Sequence, residues 1–145
     1  MGGLEFRKQN RLTERSQYLE VYSLGRRFYS KYFILFALSR GQGVFFWRLG
    51  ITASKKIGSA VRRNRVKRLV REVVRRNQKI LDRPVDIVVV AKRGIPTGSL
   101  TYGDVEADLV PVLRRIMRTL STSDPRGDRH PPTEKENAPY SDVPH

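Results

Sequence analysis

The stretch KKIGSAVRRNRVKRLVREVVRRNQ, residues 55–78, holds two patterns in one element. Ser59 is placed to cap a long helix that reaches about Gln78. At about 100° per residue, Val66, Leu69, Val70, Val73 and Val74 share one stripe of that helix. Asn64, Arg68, Arg71 and Arg75 share the opposite stripe, with Lys67 nearby and Arg63, Arg65 and Arg76 on the flanks. One stripe is core, and the other is a basic ridge with an asparagine set in it. Residues 54–79 carry 11 basic residues and a single acid, Glu72. A helix whose only task is to keep a surface hydrated interleaves Glu with its Arg at i,i+4, and this one has a single Glu to offer. Arginine outnumbers lysine, which suits bidentate phosphate and base-edge contacts. A membrane-surface helix would carry Trp or Phe on its apolar stripe, and none stands there.

Outward from this helix the chain alternates helices and strands, with no internal repeats. Thr13 caps a short helix to about Ser23, with Gly25 as its left-handed stop. Leu12, Leu19 and Val21 are its expected buried contacts, and Tyr18 and Tyr22 sit four apart on one face. Residues 32–39 read as an aromatic-rich strand, Gly41-Gln42-Gly43 as a turn and 44–52 as a second strand. Residues 85–91, VDIVVVA, show no alternation and many β-branched side chains, the pattern of a strand buried on both faces. A last helix spans about 104–120, with Val105, Leu109, Val112, Ile116 and Leu120 at helical spacing. Pro111 inside it predicts a kink, or marks the true helix start. The order α-β-β-α-β-α describes an α/β sandwich with one small sheet.

The chain has 145 residues, 29 Lys and Arg against 14 Asp and Glu, and no cysteine. Residues 1–120 hold 26 of the basic and 9 of the acidic groups, so the expected folded domain is more basic than the chain as a whole. Residues 121–145 hold 3 basic and 5 acidic groups and five of the eight prolines, a composition that predicts a disordered tail. A field as dense as that of 54–79 points to phosphates, those of nucleic acid ahead of those of an anionic membrane surface. Without cysteine there is no thiol nucleophile and no Cys-based zinc site. Both histidines, His130 and His145, lie in the expected tail, so no Ser-His-Asp set falls within the domain. Asp82, Asp86, Asp104, Glu106 and Asp108 have no spacing that suggests a metal pair. No residue is therefore assigned a catalytic or metal-ligating role. No apolar run approaches the ~18 residues of a membrane span. The first ten residues lack the apolar core of a signal peptide, which predicts a cytoplasmic protein.

Eleven of the thirteen aromatic residues lie between Phe6 and Trp47. Most are expected in the core. Tyr18, Tyr22 and Phe36 are open to two readings, ordinary packing or π-faces offered to unpaired bases.

Residues 48–72, RLGITASKKIGSAVRRNRVKRLVRE, resemble the signature of the bacterial ribonuclease P protein subunit. Its RNR element is Arg63-Asn64-Arg65, followed by Lys67, Arg68 and Arg71 in register. Residues 10–28 resemble that family's first helix, and DIVVVAKRG, 86–94, its third strand. The likeness covers about 10–120. Departures are the tyrosines at 18 and 22 where phenylalanine is common, Pro111, and the extra tail.

The resemblance implies a ribonucleoprotein endonuclease that removes the 5′ leader of precursor tRNA. The catalytic RNA subunit carries the chemistry, and Mg2+ is held mainly by that RNA and the substrate rather than by the protein. Lys55, Lys56, Arg63, Asn64, Arg65, Lys67, Arg68 and Arg71 correspond to the family's RNA-facing motif, and Tyr18, Tyr22 and Phe36 to its leader cleft. The partners implied are the RNA subunit and precursor tRNA, with no protein partner and no membrane. The family also places its β-α-β unit in a left-handed crossover, against the right-handed form that about 98% of such units adopt. Two readings compete from other classes: a structural RNA-binding protein such as a ribosomal component, and a helix-turn-helix DNA binder. The second needs a short helix packed across the basic one, where the sequence predicts strands.

Overall fold

A computed structural model describes residues 7–41 and 46–122. Its elements are α1 (Arg15–Leu24), β1 (Arg26–Tyr29), β2 (Phe33–Ser39), β3 (Arg48–Thr52), α2 (Ala60–Arg76), β4 (Val85–Ala91) and α3 (Tyr102–Thr122). The four strands form one mixed sheet in the order β1-β2-β4-β3, with β4 antiparallel to β2 and parallel to β3. The α/β sandwich with a single sheet is as expected, and β1 is an addition to the expected order. RRFY at 26–29 escapes a search for apolar runs because a four-residue edge strand buries one side chain, Phe28.

The central strand β4 is buried along its whole length. Leu35, Ile87 and Val89 face the larger core, which they share with Val66, Val70 and Val73 of α2 and Val105, Leu109 and Ile116 of α3. Phe36, Val88 and Val90 face the other way, where Tyr18, Val21 and Tyr22 of α1 cover them. The layers are therefore α1, sheet, and the α2–α3 pair.

Each helix has a local reason for its ends. The α2 cap is Ser59 as expected, its Oγ accepting from the Arg62 amide at 3.3 Å. In α1 the cap is Glu14 rather than Thr13, because Gln17 Oε1 accepts from the amides of both Thr13 and Glu14. The stripe that faces the sheet is Tyr18, Val21 and Tyr22, leaving Leu19 46% exposed, contrary to expectation. Gly25 is not left-handed: its φ is −78°. Glycine is needed there for close approach, since a Cβ would stand 2.6 Å from the Val21 carbonyl oxygen and 3.0 Å from that of Ala37.

β3 begins at Arg48, not at 44, and the expected turn at 42–43 and residues 44–45 lie outside the described residues. Phe46 and Trp47 precede the strand because the N-terminal segment claims this edge. Asn10 Nδ2 donates to the Trp47 carbonyl at 2.7 Å, and the Leu12 amide to the Leu49 carbonyl at 3.0 Å.

Helix α3 runs through Pro111 without a break, so the proline is not its start. Pro111 and Ala107 four residues earlier both lie on the exposed face, where the carbonyl deprived of its donor meets water. Thr101 caps the true start, its Oγ1 accepting from the Asp104 amide while Asp104 Oδ2 accepts from the Thr101 amide. The last helix also passes the expected domain end at 120 by two residues, and the rest of the expected tail lies outside the described residues.

Candidate nucleic-acid interface

Where the N-terminal segment, α1, β3 and α2 meet, a cleft of about 270 Å³ opens between Arg11, Leu12, Thr13, Tyr18, Leu49, Ile51, Lys67 and Arg71. One wall is the Tyr18 ring, lying against Gly50 of β3. A Cβ at position 50 would stand 2.6 Å from Tyr18 Cε2, so only glycine lets the ring lie this close to the strand. Tyr18 Oη donates to the Leu12 carbonyl at 3.3 Å. Behind it, the Tyr22 and Phe36 rings meet edge to face at 5.0 Å. Tyr18, Tyr22 and Phe36 are 6%, 9% and 1% exposed, so all three rings are packed, and Tyr18 is the member of the trio that lines the cleft.

The opposite wall is cationic. Lys67 and Arg71 stand one helical turn apart, and Arg11 faces them from the N-terminal segment. Desolvation, then the nearby Arg71 and Arg63, push the Lys67 ammonium below its ordinary pKa. Desolvation and Arg11 do the same to the Arg71 guanidinium, while Tyr18 and Arg68 act on it in opposite directions. Burial drives the Tyr18 hydroxyl up, opposed by the Ile51 backbone and by Arg71. Like charges crowded at a half-dry wall are stabilised by an incoming anion.

The ridge is paired at one end only. Glu72 receives Arg75 Nε at 2.7 Å and Arg76 Nε at 3.6 Å. Among the described residues no carboxylate lies in ion-pair range of Lys67, Arg68 or Arg71. Asn64 and Arg68 are exposed on the same face. The structure separates other members of the expected set. Arg65 turns to the far flank, where Nη1 donates to the Thr97 carbonyl at 3.0 Å and ties the loop after β4 to α2. Arg63 is half-buried, with Nε shielded and without a hydrogen-bond partner among the described residues. Lys55 and Lys56 lie outside the cleft, on an exposed 3-10 turn before α2. Sequence reasoning missed Arg11 and Thr13, which reach the cleft only because β3 recruits the N-terminal segment as a neighbour.

The five carboxylates weighed above are all engaged. Asp86, 2% exposed, accepts from Arg48 Nε at 2.8 Å and Arg48 Nη2 at 2.7 Å, with Arg40 Nε at 3.4 Å. Asp108 accepts from Ser30 Oγ and the Lys31 and Tyr32 amides, fastening the β1–β2 turn to α3. Glu106 joins Tyr102 to Asn77, Asp104 caps α3, and Asp82 pairs with Arg83. Among the described residues no group of three or more His, Asp or Glu is placed to hold a metal ion. Nor is any described helix long and apolar enough to cross a membrane.

Fold and surface together define a class: a small basic α/β protein with one unneutralised cationic face beside an aromatic-walled cleft. The family model described as Ribonuclease P matches residues 6–117. The ribonuclease P protein component of Oleidesulfovibrio alaskensis is 42% identical, over 78% of this chain and 90% of its own. That of Desulfatibacillum aliphaticivorans is 47% identical, over 64% and 77%. The solved ribonuclease P protein of Thermotoga maritima matches at a TM-score of 0.65 and 33% identity, covering 72% of this chain and 96% of its own. For the Staphylococcus aureus protein the figures are 0.65, 27%, 74% and 94%. The chain belongs to the ribonuclease P protein family, and its role lies in that ribonuclease.

Proposed function

We propose that this chain binds the catalytic RNA of ribonuclease P and the 5′ leader of precursor tRNA, and so assists magnesium-dependent removal of the leader in the cytoplasm. The observation that carries this reading is the unneutralised run Lys67, Arg68 and Arg71 beside the Tyr18 cleft. Asn64, Arg68 and Arg71 meet RNA phosphates and base edges, and Lys55, Lys56, Arg63 and Arg65 extend the positive field around the α2 start. Tyr18, backed by Tyr22 and Phe36, offers its ring to an unpaired leader base. The engaged carboxylates do not fit a magnesium site, so the protein's part is to bind, to orient and to lower the repulsion between two polyanions. Reconstitution tests this: at low magnesium, leader cleavage needs both the RNA subunit and this chain. Cleavage by the protein alone overturns it.

Arg68→Ala and Arg71→Ala are expected to flatten the salt dependence of RNA-subunit binding. Each lost phosphate contact lowers the log–log slope by about 0.7–0.9. Both side chains are exposed, so folding stability changes by no more than about 0.5 kcal/mol. A collapse of the thermal midpoint would make these arginines structural instead.

Lys67 gives a pH prediction. Its pKa in the free protein is depressed, and a bound phosphate raises it, so binding takes up a proton at alkaline pH. Affinity is level below the free-protein pKa and falls as pH rises from there towards the bound value. Lys67→Arg, which stays charged, removes this part of the decline. Identical alkaline profiles for the two proteins would exclude Lys67 from the contact.

A further inference from the structure

Among the described residues Tyr29 is the one aromatic side chain in the exposed class, at 51%. It ends β1, the sheet edge opposite β3, and pairs in register with Ile34 of β2. Strand alternation sends Phe28 into the larger core and Arg27 and Tyr29 to the face that α1 shares with Tyr18 and Tyr22. Arg27 confirms that face, its guanidinium lying 5.2 Å from the Phe36 centroid.

Cations surround the ring. Arg27 Nη1 donates to Tyr29 Oη at 3.4 Å, and Lys92 Nζ stands 6.0 Å from the ring centroid while donating to the Ser30 carbonyl. From α3, Arg115 Nη2 donates to the Tyr29 carbonyl at 3.1 Å. The neighbouring carboxylate, Asp108, is occupied with Ser30 Oγ and the Lys31 and Tyr32 amides. An edge strand with unpaired backbone groups is usually blunted by charge, which accounts for the arginines. It does not account for an aromatic ring left half in water among them. An exposed ring flanked by cations is the device that single-stranded nucleic acid binders use, the ring for a base and the cations for its phosphates.

We propose that Tyr29 stacks an unpaired base of the precursor leader, with Arg27 and Lys92 on the adjoining phosphates, as a second contact beyond the Tyr18 cleft. Arg115 positions the strand through its carbonyl. The leader, rather than a segment of the RNA subunit, is the occupant because Tyr29 shares its sheet face with the Tyr18 cleft. The two lie at opposite edges, about three strand spacings or ~14 Å apart. The proposal rests on the leader reading given above, and it adds a dependence on leader length.

The test uses holoenzyme reconstituted with the full chain and three RNAs: mature tRNA, a precursor with a leader of about three nucleotides, and one of about ten. Tyr29→Ala should weaken binding of the long-leader precursor by about five- to 150-fold, the effect of losing one base–aromatic stack. The short-leader precursor and mature tRNA should bind as before, and Tyr29→Phe should restore the long-leader gain. Because the side chain is exposed, the thermal midpoint should hardly move, which excludes unfolding as the cause. Equal losses on all three RNAs would place Tyr29 on the RNA subunit and overturn the proposal. It falls alone if Tyr29→Ala keeps the whole long-leader gain while Tyr18→Ala loses affinity for both precursors. If wild-type holoenzyme shows no preference for precursor over mature tRNA, the leader reading falls and this proposal with it.

Discussion

Asp86→Ala lowers folding stability by about 3–5 kcal/mol, the cost of leaving buried charge without its partner. Asp86 is 2% exposed at the head of the central strand, and its side chain is the counter-charge for Arg48 and Arg40, whose side chains are 18% and 14% exposed. Arg48 and Asp86 are register partners, so the bidentate pair also sets where β3 lies along β4. Chemical denaturation of the purified chain measures the loss. Combining Asp86→Ala with Arg48→Met should cost less than the two single changes summed, because the orphaned guanidinium is gone. A single-mutant loss below about 1 kcal/mol would show that water screens this pair and that strand pairing alone sets the register. Since β3 carries Leu49 and Ile51 into the cleft and backs the Tyr18 ring with Gly50, precursor binding should weaken along with stability.

Tyr18→Ala is the second large effect, and it has two parts. Removing a buried ring costs about 3–5 kcal/mol of stability. If the ring also stacks a leader base, precursor affinity falls by a further 1–3 kcal/mol or so while mature tRNA binding does not change. Tyr18→Phe separates these parts. It keeps the ring and gives up the hydroxyl bond to Leu12, about 0.5–1.5 kcal/mol. The informative quantity is the ratio of precursor to mature Kd in wild type, Tyr18→Phe and Tyr18→Ala, measured at a temperature where all three are folded. A ratio that stays constant in Tyr18→Ala assigns the ring to packing alone.

Elements with a strong period were legible from the chain itself. The two stripes of α2 stand where the wheel puts them, with Val66, Val70, Val73 and Val74 buried, and Ser59 caps the helix as expected. The spacing of Val105, Leu109, Val112, Ile116 and Leu120 likewise gave the buried face of α3. What escaped depends on partners distant in sequence. β1 exists because β2 offers it an edge, and the glycine at 25 answers to the Ala37 carbonyl, which local sequence does not reveal. Asp86 in an otherwise apolar strand was a visible anomaly, but nothing nearby named Arg48 as its partner. The ridge was legible as charge, whereas its division was not. Arg65 is drawn off by the Thr97 carbonyl, a tertiary contact that a wheel does not contain, whereas Arg75 is drawn off by Glu72 at i,i+3 within the helix itself.

The position of β4 also bears on how the chain comes into being during synthesis. Its residues, Val85–Ala91, are the shared partner of β2 and β3, both made earlier, so the sheet stays in two separate pieces until position 91 has been added. Helix α2 is complete by residue 76, when its apolar stripe still lacks both the central strand and α3 to pack against. For that interval the growing chain presents a strongly cationic helix with no domain behind it. In a compartment crowded with RNA, such a segment meets polyanions before it meets its own core. A product ending short of residue 91 is thus both unable to fold and adhesive to nucleic acid, and late closure makes chain completion the step that converts a non-specific polycation into a selective surface.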